Sequence, residues 1–197
     1  MTDKQLVENV LRGDRQAFAV IIKNTERLVA QIVFKMIENP EDRKDLAQDV
    51  YTKAFQKLSG FKFQAKLSTW IGQITYNTCL NYLEKKKLVL ADNLYTDNEP
   101  ETDAEERLFS KSGAQQDDHS SEKPLWLKER NAILQSAIEL LPPVYKTLIT
   151  LYHQEDMSYE EISQVLDLPV GTVKSYLSRA RKALKSTLLL KYKREEL

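Results

Sequence analysis

Apolar residues recur along this chain at intervals of three and four, and almost nowhere alternate, which predicts helices rather than strands. Thr2 with Gln5 predicts a cap for a short helix carrying Leu6, Val7, Val10 and Leu11, ended by Gly13. Asp14 then caps a longer one, with Phe18, Ile21, Ile22, Leu28, Val29, Ile32, Val33 and Met36 on its apolar face until Asn39-Pro40. A third helix runs from Pro40 to Leu58 with Leu46, Val50 and Ala54 inward, and Ser59-Gly60 closes it. Leu67, Trp70, Ile71, Ile74 and Thr78 mark a fourth. After a long polar interval Pro124 restarts the pattern with Trp126, Ile133, Ala137 and Leu140, and Pro142-Pro143 breaks it before Val144 to Tyr152. The last two stripes are Ile162, Val165, Leu166 and then Val173, Leu177, Ala180, Leu184. Ser158 and Glu161 form a capping-box pattern ahead of the first, and Asp167-Leu168-Pro169 separates the two.

Between them periodicity fails. From about Leu88 to Lys123 the chain is polar and acidic, which predicts a flexible linker with a short helix around Asp103 to Phe109. The fold expected is therefore all-α: two small helical domains, 1–87 and 124–197, joined by an acidic linker, 88–123. A net charge of zero hides the distribution, because residues 1–87 carry 15 Lys/Arg against 10 Asp/Glu while residues 88–124 carry 3 against 10. Two basic blocks around an acidic one suggest two modules for a polyanion. The chain holds a single cysteine, Cys79, which fits a reducing cytosol. The charged, amphipathic start MTDKQLVENV is not a signal sequence, and no run approaches the ~18 apolar residues of a membrane span. A cytoplasmic protein without membrane insertion is expected.

Catalytic signals are missing. The five glycines make no phosphate loop, His119 and His153 are isolated, and Cys79 has no metal-ligand spacing around it. No enzyme, metal or cofactor is expected. Binding signals are stronger. Past the Asp167-Leu168-Pro169 turn, Thr172, Lys174, Ser175, Tyr176, Ser178, Arg179 and Lys182 lie off the apolar stripe, and no acidic residue occurs from Leu168 to Arg194. This is the spacing of a helix-turn-helix whose second helix can enter a major groove, although helix spacing alone serves a solvated surface helix equally well. In DLAQDVYTKAF, Asp45, Gln48, Asp49 and Lys53 project away from the apolar side, which taken alone is an ordinary solvated face. In GFKFQAKLSTWIGQITYNTCLNYLEKKK, aromatics alternate with bases in the manner of a site that tracks phosphates and stacks unpaired bases, though Trp70 also suits a core.

These stretches together resemble the extracytoplasmic-function (ECF) sigma factors. SYEEISQVLDLPVGTVKSYLSRARKAL is similar to that family's fourth conserved region, which reads the -35 promoter element, and LPPVYKTLITLYHQEDMSYEEI follows it in order and spacing. DLAQDVYTKAF and the aromatic-basic segment are similar to the second region. The resemblance implies that Asp45, Gln48 and Asp49 dock on the clamp helices of core RNA polymerase. It implies that Lys62, Phe63, Lys66, Asn77, Asn81 and Lys85 hold the melted single strand of the -10 element, with Asn77 at the family's position for reading a flipped base. It assigns the seven recognition-helix residues to duplex -35 DNA, and implies an anti-sigma factor as regulator. Two departures stand out. Tyr176 occupies a position where the family usually carries Arg, and Asp167 one where a small residue is frequent in the turn. Other classes consistent with the residues are a stand-alone helix-turn-helix regulator acting without polymerase, and a sigma-like protein that only sequesters its partner.

Overall fold

The computed structural model describes residues 2–92 and 125–191, so most of the expected linker and its helix at 103–109 lie outside the described residues. Among the described residues eight α-helices form: α1 (Asp3–Leu11), α2 (Arg15–Met36), α3 (Pro40–Lys57), α4 (Leu67–Asp92), α5 (Leu125–Glu139), α6 (Pro143–His153), α7 (Tyr159–Leu166) and α8 (Val170–Lys191). A single 3-10 turn, Leu58–Gly60, follows α3. No strand occurs among the described residues.

The caps explain the boundaries. The Thr2 hydroxyl accepts from Gln5 N–H while the Gln5 amide returns to Thr2, and Asp14 Oδ1 accepts from Gln16 and Ala17. Asn39 caps α3, with Pro40 in the first turn and Glu41 and Asp42 beside the positive end of the dipole. Asp3 does something the sequence pattern does not reveal: its Oδ2 accepts from the amide of Leu67 at 2.9 Å, so α1 satisfies an orphan donor at the start of α4. At its other end α4 continues to Asp92, past the expected domain limit at residue 87.

Most of the apolar stripes are buried as their spacing predicts, including Ile21, Ile32, Val50, Ile71, Leu148, Ile162 and Leu177. Two expected core positions are not. Leu11 and Leu140 are each 54% exposed, because both stand where a helix ends and no neighbouring helix covers them.

The two halves are not separate bodies in space. One apolar cluster runs from Leu28, Ile71 and Tyr76 of the N-terminal half to Leu148, Ile162 and Val165 of the C-terminal half. Helix α2 packs on α6, and α4 packs on α7. Gly72 makes the second contact possible: a Cβ there would lie 3.1 Å from Val165 Cγ2 and 3.4 Å from Leu28 Cδ2. A second apolar group, Ile138, Leu141, Ile149 and Ala180, belongs to the C-terminal half alone.

Candidate nucleic-acid interface

The helix-turn-helix is α7, a three-residue turn and α8. Its entry is a complete capping box, in which Glu161 N–H donates to Ser158 Oγ at 3.1 Å and Ser158 N–H donates to Glu161 Oε2 at 2.9 Å. Its turn depends on Asp167, which adopts φ 55 and ψ 44, a left-handed conformation that Asp tolerates better than branched residues. The Leu168 amide then closes on Ser163 O at 3.1 Å, and Val173 donates to Pro169 O to start α8. Burial of Val173, Leu177 and Ala180 turns Lys174, Ser175, Ser178, Arg179 and Lys182 to solvent.

Thr172 and Tyr176 differ from those five in being half-buried. The Tyr176 ring meets Tyr145 edge-on with centroids 6.3 Å apart, packs against the shared core, and carries the Arg179 guanidinium 5.8 Å from its centroid. An Arg at this position would have to bring its charge toward that core. Lys174 is likewise braced, 5.4 Å from the ring of Tyr159, which stacks on Tyr152 beneath Arg181. This aromatic pair holding two recognition-helix cations escaped the sequence reading, since Tyr152 and Tyr159 lie on different helices.

The second surface is built on the loop 61–66 and the first turns of α4. Phe61 is buried and anchors it, with Phe63 at 4.7 Å and Trp70 at 5.1 Å between ring centroids. Phe63 itself is 46% exposed and sits at φ 54, a costly backbone for a bulky side chain. A cleft of about 330 Å³ opens here, bordered by Lys62, Gln64, Thr69, Trp70 and Gln73 from this half and by Gln164 and Asp167 from α7. The Thr69 hydroxyl is buried there without a partner among the described residues. Asn77 and Asn81 are exposed one turn apart on α4, and Lys62 and Lys85 are exposed as well. Tyr76, one residue from Asn77, is buried, and burial pushes its phenol up to about 12.

Lys66 is not free. Its Nζ lies 2.7 Å from Glu161 Oε1, so a single carboxylate serves the cap of α7 and this cation together. Glu161 raises the Lys66 pKa, and Lys66 followed by the Ser158 amide lowers that of Glu161. The sequence marks Lys66 as a base and Glu161 as a cap residue, but their 95-residue separation conceals the pair.

The third surface lies on α3. Leu46, Val50 and Ala54 are buried, and Asp45, Gln48 and Asp49 share the exposed side, none in an ion pair with a described residue. Behind them Lys53 reaches inward to Thr78 Oγ1 at 3.3 Å. No group of His, Cys, Asp and Glu among the described residues has the disposition to hold a metal ion, and no described helix is long and apolar enough to cross a membrane.

Comparison with known proteins finds a family model for each half of the chain. Residues 21–89 match the family model for Sigma-70 region 2, and residues 131–184 match that for Sigma-70, region 4. The chain is 31% identical over 186 residues to the RNA polymerase sigma-H factor of Pseudomonas aeruginosa, covering 94% of this chain and 93% of that one. It is 32% identical over 184 residues to the ECF RNA polymerase sigma-E factor of Escherichia coli K12, covering 93% of each. Among solved structures its fold is similar to that of the sigma factor RpoE in complex with the anti-sigma factor NepR from Bartonella quintana, with a TM-score of 0.63 at 21% identity over 90% of this chain and 98% of that one. It is similar also to CnrH in complex with the cytosolic domain of CnrY, with a TM-score of 0.63 at 21% identity over 96% and 99%. Two conserved regions in the right order, carried on this fold and matched across nearly the whole length of curated relatives, make the chain a member of the ECF sigma factors of RNA polymerase.

Proposed function

We propose that this sigma factor divides promoter recognition between its halves. Residues 1–87 dock on core polymerase through Asp45, Gln48 and Asp49, and hold the melted -10 strand with Lys62, Phe63, Lys66, Asn77, Asn81 and Lys85. Residues 124–197 read the -35 duplex with Thr172, Lys174, Ser175, Tyr176, Ser178, Arg179 and Lys182, and Tyr176 also braces the recognition helix against Tyr145. The observation that carries this reading is the pairing of region 2 with region 4 in one chain, each presenting exposed polar and basic residues where a promoter reader needs them.

As an ECF sigma factor the chain binds core polymerase and directs promoter-specific initiation, and its partners are polymerase, promoter DNA and an anti-sigma factor. Chemistry belongs to the polymerase; the sigma family is a non-enzymatic initiation factor. Strand opening would be driven by exchanging base stacking within the duplex for aromatic and amide contacts at the 61–66 loop and α4, so no nucleotide hydrolysis is required. A stand-alone regulator would have no use for the region 2 surface on α3 and α4. Run-off transcription with core enzyme on a promoter library tests the reading: transcripts should start at a defined subset of templates that free core does not use, and the lack of any such template would overturn it.

A further inference from the structure

Between the 61–66 loop and Asn77, α4 carries two polar residues at the cleft, Thr69 and Gln73. Thr69 is 1% exposed, and its hydroxyl has no partner among the described residues. A buried threonine deeper in the helix escapes this condition, as Thr75 does by donating to Ile71 O at 2.8 Å. Thr69 is the third residue of α4, so no earlier turn supplies a carbonyl beneath it. A buried hydroxyl left open in this way is available to a ligand atom. Gln73, one turn further along, is half-buried at the border of the same cleft. The wall beside them is aromatic: the Phe61 and Trp70 ring centroids lie 5.1 Å apart with the planes tilted by 40°. An aromatic wall, an amide and an unpaired hydroxyl around about 330 Å³ are the parts of a nucleobase site, and the N-terminal half supplies all of them.

We propose that the cleft is a base subsite separate from those of Asn77 and Asn81, that Gln73 and Thr69 read it, and that it takes adenine. The proposal rests on the reading of the 61–66 loop and α4 as the -10 site. A purine carries acceptors on both of its edges, so Thr69 can donate to one while Gln73 pairs with the other; the second edge of a pyrimidine is apolar. Between the purines the amide decides, because glutamine matches the adjacent donor and acceptor of adenine, N6 and N7, whereas guanine is matched by Arg or Lys. The register follows from the helix. Thr69, Gln73, Asn77, Asn81 and Lys85 succeed one another at four-residue intervals, each a rise of about 6 Å, and the last three are exposed. A stacked strand advances only about 3.4 Å per nucleotide, so α4 presents one amide per nucleotide only to a strand whose bases have left the stack. The adenine in the cleft is then the immediate neighbour of the base held by Asn77.

The test is a selection. The full chain bound to core polymerase is offered single-stranded DNA randomised over about 12 positions, and the retained strands are sequenced against those retained by free core. Adenine should be enriched about tenfold at one position. Thr69→Val keeps the shape and removes a buried unpaired hydroxyl, so it should lower that enrichment about fivefold without lowering the melting temperature. Gln73→Arg should move the preference at the same position from adenine to guanine, because arginine pairs with O6 and N7; a folding defect cannot produce that change. Asn77→Ala should relax the adjacent position and leave the adenine in place. Unchanged enrichment in both Thr69→Val and Gln73→Arg, or enrichment of a base other than adenine at the position these variants alter, overturns the subsite and leaves the strand-holding reading intact. No enrichment at any position by the wild-type complex overturns both.

Discussion

Asn77 and Arg179 stand on different surfaces, so their defects should separate. Arg179, exposed on α8, should cost about 1–3 kcal/mol of duplex binding on Arg179→Ala if it is bidentate to guanine, with preference relaxed at that base. Lys182→Ala, if on phosphate, should weaken all sequences alike. Asn77→Ala should leave -35 duplex binding intact and impair capture of one unpaired base, measured on the isolated oligonucleotides; equal loss of duplex affinity in both variants would refute the assignment. Phe63 and Phe61 divide in the same manner. Phe63→Ala should lower single-strand affinity by about 1–3 kcal/mol, whereas Phe61→Ala should lower the melting temperature, because Phe61 is only 8% exposed. Cys79 is fully buried and burial pushes its thiol up to about 12, so iodoacetamide should not modify the native protein at pH 8 and should do so on unfolding. At this scale residue type was legible in the sequence, and partnership was not. Lys35 illustrates the limit: a lysine between Phe34 and Met36 reads as surface, yet it is buried against a carboxylate 104 residues away.

The elements were legible because local chemistry decides them. Proline, capping side chains and three-four spacing act within a turn or two, and α1 to α3 and α6 to α8 begin within about two residues of the position those signals mark. The start of α4 is set instead by a distant carboxylate, Asp3. Within α3, Gln48→Ala with Asp49→Ala should weaken binding to core polymerase in a pull-down while circular dichroism stays unchanged, since alanine is the better helix former; wild-type affinity in the double variant would move the docking face elsewhere. In the turn after α7 the left-handed Asp167 can be tested by Asp167→Val, expected to cost about 1–2 kcal/mol because a branched side chain resists positive φ.

At the scale of the whole molecule, the sequence shows two modules, and the structure shows them sharing a core. Amphipathic spacing reports that a face is buried without saying whether its own domain or the neighbouring one covers it, so Val165, Ile162 and Leu28 carry no mark of the joint they make. Glu139 serves both Lys35 and Lys146, each with a side chain only 4% exposed. Glu139→Ala should therefore cost about 3–5 kcal/mol in denaturant unfolding by leaving two sheltered ammonium groups without their carboxylate. Acid should act more gently through Glu161, whose carboxyl is held below its ordinary range by Lys66 and the Ser158 amide. A depressed value means the contribution is complete above the usual carboxylate pKa of about 4.3 and is lost as pH falls through the lowered one. Spin labels placed one on each half should accordingly report a closed joint at neutral pH and parting only in acid below that point; parting between pH 8 and 6 would mean that another group controls the joint. The segregation of charge across the joint, bases on one side and acids on the other, also sets how ionic strength acts on it. The Arg27 and Lys66 side chains are 70% and 72% exposed while that of Lys35 is 4% exposed, so added salt should loosen the first two pairs and leave the third sheltered.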